Sequence, residues 1–149
     1  MKKQILLFIT IGILLSCNSD NEDSNLETEI TGNWKLIQMT GSIPNSVTTG
    51  SEMEYQETYT LNTDGTFQKS RNTNGILLEA SGIYNSFDLP DGKYLEFIFD
   101  NESKIIGSCN SSIKERVFFQ SENIFLSTWE NCDGPGLKYE KAKSTNVAE

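Results

Sequence analysis

The side chains that carry most enzymatic chemistry are scarce in this sequence. Histidine is absent from all 149 residues. That removes Ser-His and Cys-His nucleophile pairs, imidazole zinc sites and the group most often used to move protons near neutral pH. Carboxylates, three cysteines and a set of aromatics remain. The acids of Asp64-Gly65, Asp88-Leu89-Pro90-Asp91-Gly92, Asp100-Asn101-Glu102 and Asp133-Gly134 fall in turn-like sequence, where such side chains bond their own backbone. Glu57, Glu79, Glu96 and Glu115 fall in strand-like runs. One of them turned inward would hint at function, because a buried carboxylate needs a partner, but alternation leaves open which does so. A glycosidase would need two carboxylates across one cleft with one pKa raised. No calcium-loop pattern is present, and the cysteines have neither C-x-x-C spacing nor a histidine to complete a zinc site. We therefore expect a non-catalytic chain with no metal and no cofactor, and rank a carboxylate-based hydrolase third among functions.

Aromatic rings are the other chemical resource. Trp34, Tyr55, Tyr59, Phe97 and Trp129 are the candidate ligand-binding residues, suited to stacking a sugar or lining a lipid pocket, although side chains of this kind are more often core. With 21 acidic against 12 basic residues and no basic cluster, nucleic acid is excluded as a partner.

The elements that must position these groups begin with an address. Residues 1–16 combine Lys2 and Lys3, an apolar run over 5–15 and Ser16, the layout of a secretory signal. At about 1.5 Å per helical residue the run covers roughly half a bilayer core, too little to span. The sequence Leu14-Leu15-Ser16-Cys17 resembles the bacterial lipobox, and the resemblance implies that Cys17 is lipidated and becomes the mature N-terminus. Loss of Lys2 and Lys3 takes 12 basic residues to 10 against 21 acidic ones, a formal charge of −11. Residues 17–29 read as a lipidated, acidic, flexible tether holding the domain on the order of 20 Å from the membrane. Its Asn18-Ser19-Asp20-Asn21-Glu22-Asp23-Ser24-Asn25 stretch resembles the signal that carries lipoproteins of Bacteroidota to the outer face of the outer membrane; a plain periplasmic spacer fits as well. The expected location is the outer membrane, lipid-anchored, on the periplasmic face or the cell surface.

With Cys17 assigned to lipid, Cys109 and Cys132 form an even pair in an oxidising compartment and are expected to bond, linking two late strands. They lie 23 residues apart, a loop whose closure contributes about 3 kcal/mol in the chain-entropy picture.

From residue 30 the chain breaks into short Tyr/Phe/Ile/Val/Thr runs punctuated by Gly, Asn, Asp and Ser. Strands are expected over 32–39, 55–61, the second arm of the Asp64-Gly65 hairpin, 76–87, 94–99, 104–109, 113–119, 124–129 and 137–141. A helical turn fits 51–54, and 41–51, containing Pro44, is the longest irregular stretch and a candidate lid. Eight or nine strands with short connections predict an all-β fold, a single antiparallel up-and-down barrel or strongly curved sheet, with a two-sheet sandwich as rival. The barrel domain spans 30–141 and a polar tail 142–149. Its expected interior is Trp34, Leu36, Tyr59, Leu61, Phe97 and Trp129, open beside the 41–51 loop.

The segment Ile30-Thr31-Gly32-Asn33-Trp34-Lys35-Leu36 resembles the Gly-x-Trp opening strand of lipocalins. The Tyr59–Phe67 hairpin, Ser81-Gly82-Ile83-Tyr84 and Cys132-Asp133-Gly134-Pro135-Gly136-Leu137-Lys138-Tyr139 resemble small lipocalin-like domains of Bacteroidota lipoproteins. The resemblance implies an eight-stranded barrel with an internal cavity. The function expected is a membrane-anchored binding module for a small apolar or glycan ligand. The alternative is a filled, structural barrel that docks another envelope protein. Cys17→Ala should leave the protein unprocessed or release it from membranes; normal processing with unchanged membrane fractionation would refute the anchor.

Overall fold

The computed structural model describes residues 30–41, 43, 46–110 and 113–143. The expected signal, Cys17, the tether, Pro44 and most of the C-terminal tail lie outside the described residues. Nine strands form one antiparallel sheet: β1 (Gly32–Thr40), β2 (Val47–Thr49), β3 (Gln56–Leu61), β4 (Thr66–Thr73), β5 (Ile76–Leu89), β6 (Gly92–Phe99), β7 (Lys114–Ser121), β8 (Ile124–Ser127) and β9 (Gly136–Lys141). Sequence neighbours from β3 to β9 pair in order, and β1 pairs with both β3 and β9. That closes eight strands into a barrel consistent with the lipocalin-like form, with β2 added along the far half of β1. Closure leaves no long edge to template aggregation.

Alternation decides the inside. In β3 the inward residues are Glu57, Tyr59 and Leu61; in β6 they are Leu95, Phe97 and Phe99; in β9 they are Leu137 and Tyr139. Trp34, Leu36, Tyr59, Leu61 and Phe97 are each at most 2% exposed, as the alternation predicts. Aromatic rings form a continuous chain of contacts: Trp34 to Phe125 at 4.6 Å, Phe125 edge-to-face with Tyr59 at 5.9 Å, Tyr59 stacked on Phe97 at 4.6 Å and Phe97 edge-to-face with Phe67 at 4.9 Å.

The register gives the barrel two unlike ends. Tight turns at 62–65, 90–91 and 122–123 gather at one end, where Gly32 lies opposite Leu61 and Trp34 opposite Lys141, so Ile30 and Lys141 both lie there. Trp34 closes this end, its Nε1 donating to the Ile30 carbonyl at 2.9 Å. The other end carries the connections 41–55, 100–113 and 128–135, together with the Asn74-Gly75 turn, in which both residues have positive φ, 53° and 86°.

The structure departs from four expectations. Residues 104–109 are not a strand: their backbone bonds side chains inside the barrel instead of a neighbouring strand. The 41–51 stretch supplies the ninth strand instead, β2, followed by a 3-10 turn at Gly50–Glu52 that overlaps the turn expected over 51–54. Trp129 leaves β8 to open a 3-10 turn, Trp129–Cys132, and packs half-buried against the core from a connection instead of lying within it on a strand. Cys109 and Cys132 lie at disulfide distance, Sγ to Sγ 2.04 Å with Cα atoms 5.6 Å apart. They join two connections at the same end of the barrel, not two strands.

Candidate functional site

Two of the four strand carboxylates, Glu57 and Glu115, point inward and are at most 4% exposed. The same alternation carries Phe67, Lys69 and Arg71 inward along β4. Pairing of β3 with β4 sets Tyr59 opposite Lys69 and Glu57 opposite Arg71, so opposite charges meet as cross-strand neighbours. Lys69, 1% exposed, bridges both acids: its Nζ lies 3.1 Å from Glu57 Oε1 and 2.7 Å from Glu115 Oε1. Arg71 Nε binds Glu57 Oε2 at 2.5 Å. Two carboxylates against two cations make the cluster neutral, the condition for burying charge at all.

Phenols complete it. Tyr139 donates to Glu57 Oε1 at 2.5 Å, and Tyr59 donates to Glu115 Oε2. Burial first, and the adjacent carboxylates second, push both phenols well above their ordinary value. Burial opposes the charge of Arg71, but the neighbouring Glu57 outweighs it and the guanidinium is held more firmly protonated. The Arg71 guanidinium also lies 3.9 Å from the centroid of the Tyr55 ring, whose hydroxyl is buried without a hydrogen-bond partner among the described residues. Desolvation pushes that phenol far up as well.

Over this cluster runs a strap made of residues 103–109. Ile105 is fully buried, and its carbonyl accepts from Lys69 Nζ at 2.7 Å and from Arg71 Nη2 at 3.1 Å. The Gly107 amide donates to Glu115 Oε1. A Cβ at Gly107 would stand 2.4 Å from the six-membered ring of Trp129, and one at Gly134 the same distance from its five-membered ring, so the indole packs closely against both glycines. Every oxygen of Glu57 and Glu115 is therefore engaged by Lys69, Arg71, a tyrosine or the strap. The arrangement is a brace that holds the strap across the barrel end, not a pair of acids facing a cleft. Glu79 and Glu96 face outward, Glu79 accepting from Gln68 at 3.2 Å and Glu96 paired with Lys114 and Arg116.

Of the five aromatic candidates, the structure brings together Tyr59 and Phe97, and links Trp34 to them through Phe125. Tyr55 lies at the strap end, lining an open groove of about 490 Å³ with Gly50, Met53 and Asn74. Trp129, in the 3-10 turn that carries Cys132, is half-buried and packs against the edge of the core. Lys69 and Arg71 were not singled out from the sequence. The signal was present: Phe67-x-Lys69-x-Arg71 follows the Asp64-Gly65 turn, which folds it against Glu57-x-Tyr59-x-Leu61. Among the described residues no group of three or more acidic or cysteine side chains is placed to hold a metal.

Comparison with protein-family models, curated proteins and solved structures returns no match. The geometry defines the class: an all-β, closed antiparallel barrel with an ionic brace beneath a strap.

Replacing Lys69 by Met leaves two buried carboxylates sharing one cation, and should cost about 3–5 kcal/mol in urea unfolding. Adding Glu115→Gln should recover part of that loss; a single variant as stable as the parent would contradict the brace. The tyrosines give a second test. Their folded pKa values lie above the unfolded 10.0, so the unfolded chain loses protons first as pH rises past that value. Their contribution is complete below pH 10 and is lost above it. Phenolate absorbance from Tyr59 and Tyr139 should appear together with unfolding in one cooperative step; gradual ionisation in the folded barrel would contradict their placement.

Proposed function

We propose that this protein is a lipid-anchored outer-membrane protein, attached through Cys17, that serves as a non-catalytic binding module and meets its ligand with its surface rather than in a hollow interior. The observation that carries this reading is the strap: Ile105 closes one end of the barrel, Trp34 the other, and stacked aromatic rings occupy the space between. An eight-stranded barrel has room for side chains alone or for side chains and one small ligand, and this one is furnished with large rings. The signal-like 1–16 segment and its lipobox resemblance support the anchor, and the lipocalin-like form supports a binding role over catalysis.

A second reading, a structural barrel that docks an envelope protein, draws on six exposed apolar side chains at the strap end: Ile43, Val47, Ile76, Leu77, Leu78 and Ile113. Titration with the apolar dye ANS tests the interior. Weak, unsaturated fluorescence is expected; tight, saturable one-to-one binding would reveal a deep cavity and overturn the surface reading.

A further inference from the structure

A groove on the outer wall takes no part in the brace. It encloses about 720 Å³, within the ~300–1,000 Å³ of ordinary small-molecule sites. Its floor is set by register. Pairing of β5, β6 and β7 aligns Phe87, Tyr94 and Phe118 in one outward row, and Asn85, Glu96 and Arg116 in the next. Phe87 and Tyr94 are stacked at 5.6 Å with planes 16° apart, and Tyr94 meets Phe118 at 5.2 Å. Phe118 covers Gly92, where a Cβ would come within 2.6 Å of the ring. Tyr94 is the member of this row that lines the groove. Across from it stand Ser108, Asn110, Thr128 and Asn131, carried by the two connections that the Cys109–Cys132 pair ties together.

The charge of the groove departs from that of the chain. The whole sequence has a formal charge of −9, yet among the described lining residues one carboxylate, Glu96, faces two cations, Lys114 and Arg116. Arg116 Nη2 lies 2.9 Å and Lys114 Nζ 3.2 Å from Glu96, with the two cations about half exposed. Partial burial works against ionisation of Glu96, but the hydrogen bonds from Arg116 and Lys114 outweigh it and hold the carboxyl below its ordinary range. Glu96 thus stays ionised and answers one of the two positive charges. Exposed pairs of this kind are weak and exchange readily for an incoming anion.

From this juxtaposition we infer that the groove binds an acidic oligosaccharide, with Tyr94 stacked on a sugar face and Arg116 and Lys114 receiving its carboxylate or sulfate. A ring's negative face attracts the polarised C–H bonds of a pyranose, and the amides and hydroxyls opposite offer donors and acceptors for vicinal hydroxyls. An arginine fork suits a flat anionic group. The proposal rests on the surface-binding reading and names its ligand class. The acidic remainder of the molecule selects against long polyanions such as nucleic acid.

The test is retention of the full chain on an array of uronic-acid, sulfated and neutral oligosaccharides. Acidic saccharides should bind in preference to neutral ones and less well as salt is raised. Arg116→Ala and Tyr94→Ala should each cost ~tenfold or more in affinity, with unchanged thermal unfolding, while Tyr94→Phe should bind like the parent. The uronic-acid and sulfated arms distinguish which anion is taken, and preference for either supports the proposal. Acidic binding untouched by both alanine variants would overturn the groove while leaving surface recognition standing. Equal binding of neutral and acidic sugars would overturn the charge assignment. Failure to bind any saccharide would overturn the proposal, whereas the surface reading falls only if an apolar probe also enters the barrel.

Discussion

A single ammonium group organises the barrel's strap end. Lys69 occupies a position that strand alternation reserves for an inward side chain, and burying it alone would be prohibitive, so its surroundings are dictated by its charge. Glu57 reaches it from β3, Glu115 from β7 across the interior, and the Ile105 carbonyl descends from above. With the amine in place, the 100–113 connection has a fixed point halfway along its course. Without it, neither the turn of that connection into the barrel mouth nor the seat of Gly107 on Glu115 has a cause. The disulfide then ties the far end of the strap to the turn that carries Trp129.

An ionic brace is a costly way to fill a core, since apolar residues of equal volume often stabilise as well or better. What charge supplies here is directionality. Ile105 could pack against many apolar surfaces, but its carbonyl meets Lys69 and Arg71 in only one pose. A long connection that would otherwise be free to lie over either wall is thereby placed across the mouth. The result separates the molecule into a buried interior and an outer wall whose rows of side chains are available for other work.

Sequence legibility followed the same division. The closed antiparallel barrel could be read because the Asp64-Gly65 turn and the alternation of Trp34-x-Leu36, Tyr59-x-Leu61 and Leu95-x-Phe97 are local signals. Residues 104–109 misled for a physical reason. Ile105 and Ile106 give strand-like hydrophobicity, but Ile105 is apolar because it plugs a barrel, and its backbone bonds side chains distant in sequence. Trp129 misled similarly, since it reaches the core from a 3-10 turn packed against Gly107 and Gly134 and not from a strand face. Glu57 and Glu115 were visible as candidates, whereas their partners Lys69 and Arg71 were not, because a basic residue in a strand ordinarily faces water. The outer-wall groove was not legible at all: its lining is scattered from Leu89 to Cys132 over three strands and two connections, and only the register and the disulfide bring these together.

Ile30 and Lys141 emerge at the same end of the barrel, the end of tight turns closed by Trp34. Such a layout gives the molecule a foot and a head. Chain leading toward Cys17 departs from the foot, so an attachment there would stand the barrel upright on its short turns. At about 3.3 Å per residue, the nine residues of β1 set the strap end on the order of 20–30 Å from the foot. Were the proposed anchor in place, the acidic chain would be repelled from anionic headgroups, which favours this upright posture over one lying flat. The head would then sample the space beyond the lipid surface, with the connections that vary most easily in length and sequence presented outward.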